Sequence, residues 1–390
     1  MRRLAIEPRP EWRARVEAQG LVFHTTREQG VYWGEGVYYE FTAAEIDALE
    51  AATRELHARC LDAVKHVIEH RRLPELGLDA LAIELVEKSW RDQPPSLYGR
   101  FDFAFGDGVP RMLEYNADTP TSLLEGGVIQ WTWLNECLPG ADQWTTIHDK
   151  LIATWRALAP ALGDTVHFAC VEDIEDEMTV GYLRDTAEQA GLQTVSLAMT
   201  EVGWEVSRGE LVDLQGRAIR SMFKLYPWEG LVLDQLAPVL ARAPVYWLEP
   251  AWKMVLSNKA ILPILWELFP GHPNLLPASR EAGFVGEAWV RKPLLGREGS
   301  NVTVHAPGAE VATAGPYADR GYVYQRYAEL GEFDGMRPVL GAWVIGGEPA
   351  GLGIRETDGY VTSNTARFVP HAIGDGLNLR NLRAPDARDH

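Results

Sequence analysis

Arg100, Asp102, Glu114 and Asn116 bring a guanidinium, two carboxylates and a carboxamide together around one turn of the chain. Leu97, Phe101, Phe103 and Phe105 alternate with Arg100, Asp102 and Ala104, the period of a strand with one apolar face. Val109–Asn116 reads as the return strand, and Gly106-Asp107-Gly108 as the turn. A two-residue loop would put Asp102 and Glu114 on opposite faces. A three-residue loop, with Gly108 in the left-handed position, puts all four side chains on one face with Arg100 across from Glu114. The hairpin is expected in that form. Hard oxygen ligands that leave room for water and phosphate are what Mg²⁺ needs. The same residues also fit a solvated hairpin face with an ordinary cross-strand ion pair.

A second group of candidates lies in the last third of the chain. Ala288–Pro293 reads as a strand that places Lys292 before Gly296-Arg297-Glu298-Gly299-Ser300-Asn301, with Val302–His305 returning. Such a turn presents backbone N–H groups to phosphate oxygens, and the lysine adds a point charge. Hairpin turns with no ligand contain the same residues, and no Walker sequence occurs. Ser257-Asn258-Lys259 opens a helix (Ile261, Leu262, Leu265, Leu268) that Pro270-Gly271 ends. Val323–Tyr327, with Gln325, reads as a strand that suits the edge of an adenine. Arg337–Ile345 and Pro349–Glu356 form a hairpin over Gly346-Gly347 and carry Arg355 toward its end.

Two further features are ambiguous. Glu172, Asp173, Glu175, Asp176 and Glu177 follow a buried strand, where open α/β sheets bind ligands. They either decorate a helix N-terminus or seat an ammonium group. Lys224 lies in the apolar strand Ser221–Leu225 and is either a substrate anchor or a snorkelling edge lysine.

The elements that must position these groups are legible in outline. Thr42-Ala-Ala-Glu45 is a capping box, and helical spacing continues until Pro74. Residues 21–40 read as short strands or irregular cover. Thr119-Pro-Thr-Ser122 leads into a helical run, Leu123–Leu138, whose first turn points N–H groups toward the hairpin. Residues 142–162 read as another helix. Val166–Cys170, the helix Asp176–Gln189 and Thr194–Leu197 form a parallel strand–helix–strand unit. Only the tail after about Asn378 looks loosely organised.

With 46% hydrophobic residues, the 390-residue chain can bury a large core in two or three lobes. A net charge of −18 argues against a nucleic-acid partner and suits a cationic substrate such as an amine. Cys60, Cys137 and Cys170 are too few and scattered for a disulfide framework or a zinc site. The basic start is not followed by an apolar run, and no stretch would span a bilayer, so no membrane is involved and a cytoplasmic location is expected.

Taken together, these motifs resemble the synthetase domain of the glutathionylspermidine synthase family, ATP-grasp acid–amine ligases. Arg100-x-Asp102 with Glu114-Tyr-Asn116-Ala-Asp-Thr119 is similar to that family's nucleotide and magnesium motif. Leu248-Glu-Pro-Ala-Trp252 with Asn258-Lys259 resembles its first ATP-lysine segment, although the Pro-Gly often found before the Asn is replaced. Val290-Arg-Lys-Pro293 with Gly296–Asn301 resembles its second lysine and phosphate lid. The resemblance covers about residues 12–385. The metal motif precedes the lysines, the circularly permuted order of this family.

The resemblance implies a mixed α/β (α+β) fold, ATP-grasp-like with a pre-ATP-grasp βαβ subdomain. Its sublobes would be residues 1–140 with the metal hairpin, 141–250 with the βαβ unit, and 251–390 with the lysines and lid. It also implies that Asp102, Glu114 and Asn116 hold two Mg²⁺ ions. Arg100 would face the γ-phosphate and the acyl group, and Arg355 would act in the transition state. Lys259, Lys292, Gly296, Arg297, Glu298, Gly299, Ser300 and Gln325 would bind ATP, together with Arg100 and Asp102. Thr119 and Lys224 would hold the acid substrate, and Asp176 and Glu177 the amine. The implied reaction is amide formation through an acyl phosphate, from an acid such as glutathione or another peptide and an amine such as a polyamine. The implied assembly is a homodimer. The family's amidase domain has no counterpart in this sequence. A small-molecule kinase, or a nucleotide- or polyamine-binding protein without activity, would use the same ATP site.

Overall fold

The computed structural model describes residues 1–26, 30–317, 320–363 and 366–374; the tail after Asn378 lies outside the described residues. The fold is mixed α/β, with three principal sheets. The first is an antiparallel five-stranded sheet, ordered Arg367–Val369, Glu348–Thr357, Arg337–Ile345, Tyr98–Ala104 and Arg111–Asn116. It joins the acidic hairpin to the hairpin that carries Arg355, although more than half the chain separates them in sequence. The second is an antiparallel sheet ordered Ala278–Ser279, Tyr322–Arg326, Trp289–Pro293, Thr303–Ala306 and Ala309–Ala312. It carries Lys292 and Gln325. The third is parallel, ordered Tyr246–Leu248, Ser221–Leu225, Thr165–Cys170 and Gln193–Ala198. The helix Ile174–Gln189 makes its crossover, as the alternation of strand and helix patterns requires.

The capping box forms: Glu45 N–H donates to Thr42 Oγ1, and Thr42 N–H donates to Glu45 Oε2 at 2.9 Å. The helix runs Ala43–Glu69 and buries Ile46, Leu49, Leu56 and Val64. It stops before Pro74, which instead lies in the first positions of the short 3₁₀ turn Leu73–Leu76. The helix expected over 142–162 starts only at Ile147. Residues ahead of it are held extended, with Trp144 O accepting from Leu352 N–H and Asp142 O from Ile373 N–H. Periodicity at Trp144 is therefore overridden by pairing to distant strands. The run from Leu123 begins with a π turn at Glu125–Ile129 and becomes α-helical at Gln130–Cys137.

The acidic hairpin departs from its expected register. Asp102 lies opposite Glu114 and Arg100 opposite Asn116, whereas Phe103 pairs with Met112 and Ala104 with Arg111. The connection beyond Ala104 and Arg111 is thus longer than three residues, with Gly108 in the left-handed region at φ +75°. Leu113 is the extra residue of a β-bulge, and it restores the parity that puts Arg100, Asp102, Glu114 and Asn116 on one face. The shared face is as expected; the device that produces it is different.

Two residues past the hairpin's second strand, Asp118 forms a buried charge pair with Lys224. Lys224 Nζ donates to Asp118 Oδ1 at 2.7 Å and to Tyr226 O at 3.0 Å, and it sits 4.6 Å from the centre of the Trp228 ring. Asp118 Oδ2 also accepts the Trp228 N–H at 2.9 Å. Burial holds the Lys224 ammonium below its ordinary value, opposed by Asp118. Removing Asp118 leaves that charge buried and unpaired. Asp118→Ala is therefore expected to lose about 3–5 kcal/mol of unfolding free energy. Chemical denaturation checks this, and a loss below about 1 kcal/mol would match a surface pair instead.

Candidate active site

The two antiparallel sheets face each other across a cavity of about 350 Å³, within the range of about 300–1,000 Å³ that small-molecule sites occupy. Asp102 is the centre of its acidic wall. Arg100 grips it with two donors, Nε to Oδ1 at 2.8 Å and Nη2 to Oδ2 at 3.2 Å. Arg355 Nη2 donates to the same Oδ2 at 3.0 Å. Arg100 is also fixed by Thr121 O at 2.8 Å and lies 5.6 Å from the centre of the Trp343 ring. Gly341 leaves room for it, since a Cβ there would stand 2.9 Å from Arg100 Cδ. Burial works against the Arg100 charge, and Asp102 more than offsets that cost, so its pKa is raised. Asn116 Nδ2 lies 3.3 Å from Asp102 Oδ2 and 3.2 Å from Glu114 Oε1, between the two carboxylates.

Two lysines close on this wall, Lys292 from the second sheet and Lys259 from the turn between the helices Met254–Ser257 and Ile261–Leu268. Lys259 Nζ is 3.0 Å from Glu114 Oε2 and donates to Gly296 O at 2.6 Å. Lys292 Nζ donates to Leu113 O at 2.9 Å and to Gln325 Oε1 at 2.8 Å. Gln325 Nε2 in turn donates to Met112 O at 2.9 Å. The bulge thus supplies the carbonyl that Lys292 takes. Burial would raise the Glu114 carboxyl, but Lys259 and Lys292 overcome it and hold it below the usual range. Burial pushes Lys292 down to about 8.

Of the candidate residues, Glu177 and Lys224 alone do not line this cavity. Glu177 is exposed on its helix, and Lys224 is occupied by Asp118. Asp176 does line it; burial, with Asp173 and Glu175 nearby, raises its carboxyl to about 7. Val290, Val304, Leu330 and Val339 add an apolar wall that no motif signalled. Gly296–Ser300 of the glycine loop line the cavity. A side chain at Gly299 (φ +69°) would meet Val361 Cγ1 at 2.6 Å and Thr362 O at 2.7 Å.

Glu125 also went unmarked in the sequence. It sits in the π turn, 2% exposed, and accepts the Tyr32 hydroxyl at 2.7 Å. Burial raises it to about 7.

Among the described residues, no group of three or more His, Cys, Asp or Glu gathers to hold a metal ion. The oxygen set here is two carboxylates and an amide, which suits an ion that keeps waters and phosphate oxygens as its other ligands. Lysines opposite such a set, a glycine loop above it and an apolar slot beside it meet the needs of a ligase that spends ATP.

Comparison with known proteins gives the same class. Residues 3–374 match the family described as glutathionylspermidine synthase preATP-grasp. A Haemophilus influenzae protein named "Putative acid–amine ligase" is 44% identical over 355 residues, covering 87% of this chain and 90% of that protein. Trypanothione synthetase of Crithidia fasciculata is 30% identical, covering 81% of this chain and 53% of its own length. The bifunctional glutathionylspermidine synthetase/amidase of Escherichia coli K12 is 28% identical, covering 93% of this chain and 62% of its own. The chain spans little more than half the length of these last two relatives. It belongs to the glutathionylspermidine synthase pre-ATP-grasp family, and it is an ATP-dependent acid–amine ligase. ATP with Mg²⁺ is the family's general requirement. Among the described residues no helix is long and apolar enough to cross a membrane.

The state of Glu125 gives a pH test. Its folded pKa lies above the ordinary value of 4.5, so it stabilises the fold fully below that value and loses this contribution as pH rises through about 7. The loss amounts to roughly 3 kcal/mol. Glu125→Gln cannot ionise, so its stability relative to the unmodified protein is expected to rise by that amount between pH 4.5 and 8. Denaturant midpoints measured across this range check it; a constant difference would mean that Glu125 is ionised in the fold.

Proposed function

We propose that this chain joins a carboxylate to an amine through an acyl phosphate, with ATP lying between the acidic hairpin and the lysine sheet. The observation that carries the reading is the single acidic face of the hairpin, with Lys259 and Lys292 set against it. Asp102, Glu114 and Asn116 would hold two Mg²⁺ ions, the Asn116 amide turning its oxygen inward. When bound, Mg²⁺ neutralises phosphate charge and polarises the γ-phosphoryl group.

The chain's own residues account for the rest. Lys259 and Lys292 bind phosphate oxygens, Gln325 edges the base, and Val290, Leu330 and Val339 cover its faces. Arg100 offsets the repulsion between the γ-phosphate and the incoming carboxylate, and Arg355 stabilises charge as it develops. A carboxylate oxygen of the acid attacks the γ-phosphorus, and ADP leaves. The amine nitrogen then attacks the acyl carbon, the C–O bond to phosphate breaks, and inorganic phosphate departs as the nitrogen loses a proton. Thr119 faces the acid side. Asp176, whose carboxyl burial and its acidic neighbours raise to about 7, would accept that proton from the amine. The Gly296–Asn301 loop excludes water, which would otherwise hydrolyse the acyl phosphate.

The acid we propose is glutathione or another peptide and the amine a polyamine, in keeping with a relative named for glutathionylspermidine. A screen of acids against amines, scored by phosphate release with mass spectrometry of the product, identifies the pair. Phosphate release is expected to depend on both; release or phosphoryl transfer that needs no amine would favour a kinase. Glu114→Ala should abolish ATP consumption, a loss of at least about 10³-fold, with the circular dichroism spectrum unchanged. Undiminished turnover would refute the metal assignment.

A further inference from the structure

We infer that Glu229 is a positioning residue that latches the Gly296–Asn301 loop shut through Arg297, an inference that rests on reading this loop as the lid of the ATP site. Arg297 projects from the loop to the opposite wall. Its Nη1 donates to Thr119 Oγ1 at 2.7 Å, and its Nη2 donates to Glu229 Oε1 at 2.6 Å. Thr119 and Arg297 line the cavity, whereas Glu229 stands behind the guanidinium and does not. Glu229 is thus placed to act on ligand only through Arg297.

Both anchors are held rigidly. Thr119 follows Asp118, and Glu229 follows Trp228. Asp118 and Trp228 are tied together by the 2.9 Å bond from the Trp228 N–H, and Lys224 is locked to Asp118. Trp228 Nε1 donates to Glu249 O at 2.9 Å, pinning the same segment again. The loop side is anchored near its base, where Lys259 donates to Gly296 O and Thr313 Oγ1 to Gly299 O. The guanidinium therefore spans from a loop with its own hydrogen bonds to a wall braced by the Asp118–Trp228–Lys224 contacts. Burial works against both charges of the latch, yet Arg297 holds the Glu229 carboxyl below its usual range and Glu229 holds the Arg297 guanidinium up. The latch is an ion pair, and roughly a fifth to a third of each side chain remains accessible (33% for Arg297 and 22% for Glu229), so salt can reach it.

Hydrogen–deuterium exchange on the full chain, with and without Mg²⁺ and the non-hydrolysable analogue AMP-PNP, tests this. In Glu229→Gln the amides of residues 296–301 are expected to exchange roughly tenfold faster, and Glu229→Asp should recover part of the protection. Exchange in Tyr98–Asn116 and Ser221–Leu225 should stay unchanged. In the unmodified protein, added NaCl should erode loop protection, and Glu229→Gln should have lost that dependence. Equal loop exchange in Glu229→Gln and the unmodified protein overturns the latch. So does faster exchange spread through the central sheet, which marks general destabilisation. Salt-independent protection in the unmodified protein overturns it without any variant. No turnover is measured, so failure here is distinct from failure of the ligase reaction.

Discussion

One unpaired residue, Leu113, sets the geometry on which the site depends. Without the bulge, Glu114 and Asn116 would turn to the face opposite Asp102, and the acidic wall would not exist. The bulge also releases the Leu113 carbonyl from the ladder, and Lys292 takes it. Met112 O is covered in the same way by Gln325. The outer edge of the first sheet is thus capped by side chains of the second, so one irregularity aligns the acids, docks the lysine sheet and closes an exposed strand edge.

The charges around this wall are balanced by direct contact. Asp102 is held by Arg100 and Arg355, and Glu114 by Lys259. Left unpaired, the deeply buried Arg100 or Asp102 would cost several kcal/mol. The cations are nevertheless bound partly to neutral carbonyls: Lys259 to Gly296 O, Lys292 to Leu113 O, Arg100 to Thr121 O. A triphosphate offers them formal negative charge in place of a dipole. These cations therefore have capacity left for a phosphate.

Local chemistry made much of this legible in the sequence. The capping box at Thr42, the alternation through Phe101–Phe105 and the parallel strand–helix–strand unit were readable because their causes lie within a few residues. What escaped depends on contacts between distant positions. The shared acidic face was expected from turn length, but it comes from a bulge that Lys292 stabilises from 179 positions away. Lys224 has the pattern of a substrate anchor, yet its partner Asp118 lies 106 positions earlier. Trp144 keeps a helical interval while its backbone is claimed by strands near the C-terminus. Glu229 and Glu125 carry no local signature, since each is defined by what folds onto it.

The sheet that joins residues 98–116 to residues 337–369 bears on how the protein is made. During synthesis, the strand Tyr98–Ala104 leaves the ribosome more than two hundred residues before its partner Arg337–Ile345. Through that interval its phenylalanines and its open ladder edge have no cover from their final neighbour, the kind of surface that recruits chaperones or other nascent chains. A message cut short before Arg337 would yield a polypeptide with every acid of the site and the strand Tyr98–Ala104 without its partner. Its fate would be clumping or degradation, and the cell would be spared a half-built enzyme that wastes nucleotide.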